Sequence, residues 1–152
     1  MDRRKRIALS AHDAMKPALA AWAFANEAAL APHALTATGN MARRLASETA
    51  LRATPLHASA LGGDMQLGAL MADGQLDIVL FFIDPLSAKP FDIDPAPLIR
   101  MATLSQTALA LNEASADFIV RSELLAHPYH RPQSVDDLPP VPQRLRDRRH
   151  TA

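Results

Sequence analysis

The sequence predicts a doubly wound α/β domain, a single five-stranded and mostly parallel sheet flanked by helices. Short apolar segments alternate five times with longer helical segments between residues 7 and 124, which is typical of this class. The segment at 76–83 is apolar almost throughout, as expected of a strand with both faces buried in a parallel sheet. At 152 residues the chain is long enough for one such domain with a substantial core.

The first half of the chain predicts three strands, at 7–11, 34–38 and 54–57, the last of them weak. Helices are predicted over 13–30, 40–48 and 62–72. Asp13 could cap the first helix, and Pro17 is tolerated there because it falls in the first turn. Asp73-Gly74 is a stop signal that ends the third helix.

The second half predicts strands at 76–83 and 108–111, with helices over 97–105 and 114–124. From His127 onward the composition changes, because five prolines and the basic segment 144–149 replace the apolar periodicity. We therefore predict an α/β domain over residues 1–125. The Pro- and Arg-rich tail over 126–152 is predicted to be partly irregular.

Composition excludes several classes of protein. Lys and Arg together number 16, as do Asp and Glu, and this zero net charge argues against a nucleic-acid or membrane-surface partner. The chain has no cysteine, which excludes disulfides and thiolate metal sites. The apolar run after the basic start is too short for a signal peptide, and the run 78–83 is far below a membrane span. We expect a cytoplasmic protein.

Polar residues collect where the predicted strands end. In an open parallel sheet, ligands bind outside the carboxyl ends of the strands. These ends are followed, in chain order, by His12-Asp13 with Lys16 one turn later, by Thr38-Gly39-Asn40, by Gly62-Gly63-Asp64, by Asp84-Pro85 with Asp92 and Asp94 in the next loop, and by Asn112. Alternation of strands and helices does not by itself require this clustering, so the pattern predicts a site at this edge.

Each of these features also has a structural interpretation. A His-Asp pair or a Gly-Gly-Asp at a helix start is often only a turn and a cap, and Asp84-Pro85 is commonly only a turn. Asp77 flanks a turn and is expected to be structural, and His33 is expected to pack or to face solvent. Their common location, rather than any one residue, favours function.

The motifs identify a family. They are Ala11-His12-Asp13-x-x-Lys16, Ala37-Thr38-Gly39, Gly62-Gly63-Asp64-x-Gln66-x-Gly68-Ala69, Phe81-Phe82-x-Asp84-Pro85-Leu86, Pro90-x-Asp92-x-Asp94, Leu98-x-Arg100-x-Ala102-Thr103 and Ala116-Asp117-Phe118-Ile119. On these residues the chain resembles the methylglyoxal synthase family, over roughly residues 5–122 without a gap. The resemblance implies the flavodoxin-like α/β fold of that family and a cytosolic homohexameric lyase. Such a lyase converts dihydroxyacetone phosphate to methylglyoxal and inorganic phosphate, without a metal or organic cofactor.

The resemblance also assigns roles to residues. Asp64 would be the base that removes a proton α to the carbonyl, and His12 would polarise that carbonyl. Asp84, Asp94 and Asp13 match acidic positions of the family's site. The substrate and its phosphate would be held by His12, Lys16, Thr38, Gly39, Asn40, Met41, Ser59, the residue at Phe91, and Arg148 from the tail.

Two departures leave a second interpretation open. The family reads Pro-His-Asp-x-Asp where this chain has Phe91, which cannot carry a proton. Its phosphate loop reads Thr-Gly-Thr-Thr-Gly where this chain continues with Asn40-Met41-Ala42, and its Ser-Gly-Pro is here Ala58-Ser59-Ala60. The alternative is a non-catalytic or retuned module of the same fold that binds a small phosphorylated or anionic ligand.

Overall fold

The computed structural model describes residues 1–86 and 94–131. The predicted sheet is confirmed: five strands, all parallel, lie in the order β3-β2-β1-β4-β5. The strands are β1 Arg6–Ala11, β2 Ala34–Ala37, β3 Ala53–Pro55, β4 Ile78–Phe82 and β5 Ala108–Ala110. The helices are α1 Lys16–Ala25, α2 Glu27–Leu30, α3 Gly39–Glu48, α4 Gly63–Ala72, α5 Pro95–Leu104 and α6 Glu113–Val120. Single turns of 3-10 helix lie at Asp13–Met15, Ser59–Leu61 and Glu123–Leu125.

The sheet separates two hydrophobic cores. Side chains of β4 alternate between its faces, so Ile78, Leu80 and Phe82 join one core while Val79 and Phe81 join the other. Helices α1, α3 and α6 cover the first face, and α4 and α5 cover the second. Every residue of β4 is buried, as its continuous apolar sequence predicts.

The long helix predicted over 13–30 is divided. Residues Asp13–Met15 form a 3-10 turn, and the helix breaks again at Asn26, whose backbone leaves the helical region with φ −111° and ψ 19°. The Asn26 side-chain amide donates 2.9 Å to the carbonyl oxygen of Trp22, which satisfies an end of α1. The expected capping role of Asp13 is wrong, since no side chain caps either helical segment and Asp13 pairs instead with Lys16.

Two other helices begin earlier than predicted, because a side-chain oxygen caps the amino end of each. Asp94 accepts 3.0 Å from the amide of Ala96, so α5 begins at Pro95. Asn112 accepts 2.9 Å from the amide of Ser115, so α6 begins at Glu113. The sequence contains both caps, but periodicity of apolar residues does not reveal them.

A charge network fixes the amino ends of β1 and β4. The Asp77 carboxylate is 1% exposed and accepts from the Arg6 amide at 2.9 Å, from the Arg6 guanidinium at 2.8 Å and from Arg131 at 2.6 Å. Burial alone would raise the pKa of Asp77, but the hydrogen bonds from Arg6 and Arg131 outweigh it and hold that pKa at about 2. Asp77 is therefore structural, as expected.

The first residues of the predicted tail pack against the domain. The buried Lys5 ammonium donates 2.6 Å to the carbonyl of Asp2 and 2.5 Å to that of His127, and Tyr129 pairs with Met1 through the main chain. The domain boundary at 125/126 and the character of 132–152 stay predictions, because residues 132–152 lie outside the described ranges. No helix within those ranges has the length and apolarity to cross a bilayer.

Candidate functional site

The strand order places the site. The chain runs from β1 outward to β2 and β3, then returns to place β4 on the other side of β1. Such a reversal opens a crevice at the carboxyl ends of the two central strands, which is where open α/β sheets bind ligands. His12 follows β1 directly and Asp84 follows β4, so the sequence motifs fall on the two sides of this crevice.

The main chain fixes the orientation of His12. The imidazole is 5% exposed, and its Nδ1 accepts the Asp84 amide at 3.0 Å. Nδ1 also lies 3.2 Å from the carbonyl oxygen of Asp84, so the main chain of Asp84 contacts this nitrogen in either tautomer of the ring. The ring also meets the edge of Phe81 at a centroid distance of 5.3 Å, at 77° between the planes. The Asp84 main chain and the Phe81 ring therefore fix the orientation of His12.

The start of α3 supplies main-chain donors beside β1. Thr38 is buried at the helix N-cap, with its hydroxyl 3.4 Å from that of Ser10 on β1. The Gly39 amide donates 3.1 Å to the carbonyl of His57. The amides of Asn40 and Met41 are the next two in the first turn, where helix geometry provides no intrahelical acceptor. A helix start of this kind favours an anion.

The loop before α4 brings Asp64 to the same edge. The first residue of α4 packs on this loop so closely that a Cβ at Gly63 would lie 2.1 Å from the His57 carbonyl oxygen. Gln66 reaches back and accepts the His57 amide at 2.7 Å, which ties α4 to the loop. Asp64 occupies the first turn of α4 and is partly buried.

A hydroxyl in this loop is left without a partner. Ser59 Oγ is buried and makes no hydrogen bond within the part of the chain that the structure describes. Buried hydroxyls are almost always hydrogen-bonded to protein, water or an ion. Ser59 thus provides a donor at the edge where the anion-binding amides lie.

Lys16 is the ammonium nearest in sequence to His12. Its side chain is 12% exposed and forms an ion pair with Asp13, whose own side chain is 62% exposed. The predicted Lys16 charge is therefore present at the rim, but a carboxylate partly neutralises it.

Other predicted site residues are placed differently. The Met41 side chain is fully buried in the core, so only its backbone can reach a ligand. Asn40 is exposed and its amide oxygen accepts from Arg43 in the next turn of α3. Asp94 is exposed and caps α5. Phe91, Asp92 and Arg148 lie outside the described residues.

Three supporting residues carry no role in the sequence prediction. They are Ser10, which meets Thr38, Gln66, which holds the loop, and Phe81, which contacts the His12 ring. Gln66 and Phe81 belong to the quoted motifs, so their presence was a signal, but their contacts depend on how β4 and α4 pack. Ser10 has no sequence signal beyond its place beside His12.

This arrangement combines a carboxylate, an oriented imidazole and a helix start of the kind that favours an anion with a nearby ammonium. Such a set can abstract a proton, stabilise a developing oxyanion and hold a phosphate. Over residues 1–86 and 94–131 no group of three His, Cys, Asp or Glu side chains is arranged to hold a metal ion.

Comparison with known proteins gives one consistent result. The chain is 44% identical over 126 residues to methylglyoxal synthase of Aliivibrio fischeri, which covers 83% of each chain. It is 37% identical over 131 residues to methylglyoxal synthase of Clostridium acetobutylicum, covering 86% of this chain and 90% of that one. The crystal structure of methylglyoxal synthase from Elizabethkingia anophelis matches with a TM-score of 0.84 at 34% identity, covering 93% and 97% of the two chains. Searched protein-family models give no match.

Proposed function

The chain belongs to the methylglyoxal synthase family, and we propose that it converts dihydroxyacetone phosphate to methylglyoxal and inorganic phosphate. The observation that carries the proposal is the buried His12 imidazole, which the main chain of Asp84 holds through Nδ1 at the switch point of the sheet. The enzyme is accordingly a carbon–oxygen lyase that acts on a phosphate ester.

Asp64 is the base in this proposal. Its carboxylate takes the proton from the carbon α to the carbonyl, while the His12 N–H donates to the carbonyl oxygen that becomes an enediolate oxygen. Electrons of the enediolate then expel the phosphate as its C–O bond breaks, and the enol left behind tautomerises to methylglyoxal. Asp84 and Asp94 are the other acidic groups that we assign to the site of these proton transfers.

The phosphate is held mainly by main-chain donors and charge. The first-turn amides at Asn40 and Met41, beside Thr38 and Gly39, point toward the anion, and Lys16 adds an ammonium. The orphan Ser59 hydroxyl supplies a donor of the kind that the family has one residue earlier, where this chain has Ala58. The other positions at which the family contacts the substrate and its phosphate are those of Phe91 and Arg148 in this chain.

Phe91 gives the second candidate its support. A phenyl ring at a position that normally carries a proton-transferring imidazole favours a weakened enzyme or a module that binds an anionic ligand without turning it over. Retention of Asp64 favours the enzyme, because a carboxylate repels an anion that is only bound.

One assay decides between them. Purified protein is incubated with dihydroxyacetone phosphate, and methylglyoxal and inorganic phosphate are measured together against time. Equal amounts of both products, above the rate of the uncatalysed elimination, are expected of the enzyme. Binding of phosphate or substrate without either product would establish the alternative.

Assembly and location complete the proposal. By resemblance the chain forms a homohexamer, which sedimentation velocity would test directly. The phosphate ester is charged and does not cross membranes, so the enzyme that uses it is placed in the cytoplasm. Its partners are then this substrate, inorganic phosphate and other copies of the chain, with no nucleic acid and no membrane.

A further inference from the structure

The amino ends of the strands carry a basic region, on the edge of the sheet opposite the catalytic rim. Arg3, Arg4 and Lys5 precede β1, and His33 precedes β2. A cavity of about 450 Å³ opens there, a size common for small-molecule sites. No acidic side chain is among the described residues that line it.

The cations around this cavity are not held in ion pairs by the residues that the structure describes. Arg3 and Arg4 are exposed and form no ion pair with any residue of the described ranges. Lys5 is 1% exposed, and its ammonium is bonded to carbonyl oxygens rather than to a carboxylate. In a chain of zero net charge this local excess of cations gives the cavity a positive potential.

His33 lines the same cavity. It is 8% exposed, and its Nδ1 accepts the Lys5 amide at 3.2 Å, so the neutral ring carries its proton on Nε2. Burial, followed by the nearby Lys5 and Arg4 charges, lowers the pKa of His33, which keeps the ring neutral and this tautomer in place. The remaining walls are small and apolar, with Ala28, Pro32 and Leu125 among them.

We propose that this cavity is a second anion site, which takes the phosphate group of a small phosphate monoester on Arg3, Arg4 and His33. Two guanidinium groups match the geometry of phosphate oxygens and hold them bidentately. The apolar walls leave room for a compact carbon skeleton but provide no carboxylate that would repel the dianion. The site is independent of the reaction at the opposite edge of the sheet.

Buried histidines in the two regions allow one experiment to observe both. Long-range ¹H–¹⁵N spectra of the imidazoles are recorded during titration with inorganic phosphate and, separately, with glycerol 3-phosphate. Ionic strength is matched with chloride, because screening alone alters exposed charges. His33 reports the proposed site and His12 reports the catalytic rim. His33→Gln assigns the His33 signal while keeping an acceptor for the Lys5 amide.

The double variant Arg3→Gln/Arg4→Gln tests the contacts, with Arg52→Gln as a matched exposed control. We expect saturable shifts of His33 in the parent and in the control. In the double variant the dissociation constant obtained from the His33 shifts should rise about tenfold or more, because charged hydrogen bonds to the ligand are lost. The dissociation constant obtained from the His12 shifts should be unchanged. A His33 signal that does not move, or that titrates equally in the double variant, would overturn the site. If the His33 signal shifts on titration but the His12 signal does not, the result would count against the proposed function and not against the second site.

Discussion

At the scale of single residues, the main chain decides what His12 can do. Asp84 contributes its backbone amide to Nδ1 at 3.0 Å, and its own carboxylate accepts the Leu86 amide at 3.0 Å. A turn after β4 thus fixes both the orientation of the imidazole and the direction of the next segment. An Asp84 substitution can therefore alter His12 without touching the substrate, so effects at the two residues are not expected to be additive.

Asp64→Asn should abolish lyase activity while leaving the fold unchanged. The amide is nearly isosteric but cannot accept the proton, and loss of a general base costs about 10²–10⁴-fold in rate. Production of methylglyoxal and thermal unfolding are measured for this variant and for Asp73→Asn, an exposed position at the end of α4. A rate within a few-fold of the parent would remove Asp64 from the mechanism.

Lys16→Ala should weaken phosphate binding far more than Asn40→Ala does. Lys16 contributes charge, whereas the Asn40 side chain is turned to Arg43 and the amide that faces the anion belongs to the backbone. Calorimetric titration of phosphate at two salt concentrations is the measurement, and affinity should fall as salt rises because rim charges are screened. Tight binding independent of salt would show that the Asn40-Met41-Ala42 segment makes specific contacts of its own.

Phe91→His should raise activity on dihydroxyacetone phosphate. The substitution restores the Pro-His-Asp pattern of the family and with it a side chain that transfers protons near neutral pH. The turnover number of the variant is compared with that of the parent and of Phe91→Leu, which changes size but adds no titratable group. An unchanged or lower rate would indicate a site retuned for another ligand.

At the scale of elements, the contact of α4 with the loop at 57–58 positions the proposed base. Gly63→Ala places a methyl group 2.1 Å from a main-chain oxygen, so the loop or helix must shift. We expect a loss of roughly 1–3 kcal/mol in unfolding free energy together with lower activity.

Gly68→Ala is the matched control in the same helix. A Cβ there meets nothing within 4 Å, and replacing a helical glycine gains about 0.5–1 kcal/mol. Urea unfolding of both variants measures the difference. Equal effects of the two substitutions would mean that the contact between loop and helix does not constrain the site.

At the scale of the whole molecule, the Asp77 network ties the sheet to residue 131 and should make stability depend on acid. The folded pKa of Asp77, about 2, lies below the ordinary 3.8, so its contribution is complete above about pH 5 and is lost as pH falls through 2. That shift corresponds to a contribution on the order of 2 kcal/mol.

The variant Asp77→Asn separates this contribution from general acid unfolding. Unfolding free energies of parent and variant are measured by urea between pH 7 and pH 2, with Asp73→Asn as an exposed control. The difference between parent and Asp77→Asn should be constant above pH 5 and should narrow between pH 4 and pH 2. A difference that does not change with pH would contradict the assigned pKa.

The sequence by itself determined the strands and the parallel class of the sheet, and it predicted the edge where the candidate site lies. These follow from local patterns, because alternating apolar segments report burial and polar residues after strands report the carboxyl ends. Chain-local motifs also sufficed for Asp64, His12 and Thr38, whose positions relative to a strand or helix are fixed by a few residues of sequence.

Only the tertiary structure decided which of these residues meet. His12 and Asp84 are 72 positions apart and join because β4 lies beside β1, and Gly39 meets His57 because α3 packs on the next loop. The packing also buries the Met41 side chain in the core, which leaves its backbone amide for the predicted contact, and it makes Asp94 the cap of α5. Contacts across the chain depend on strand order and helix packing, which are set by the summed burial of both faces rather than by any local pattern.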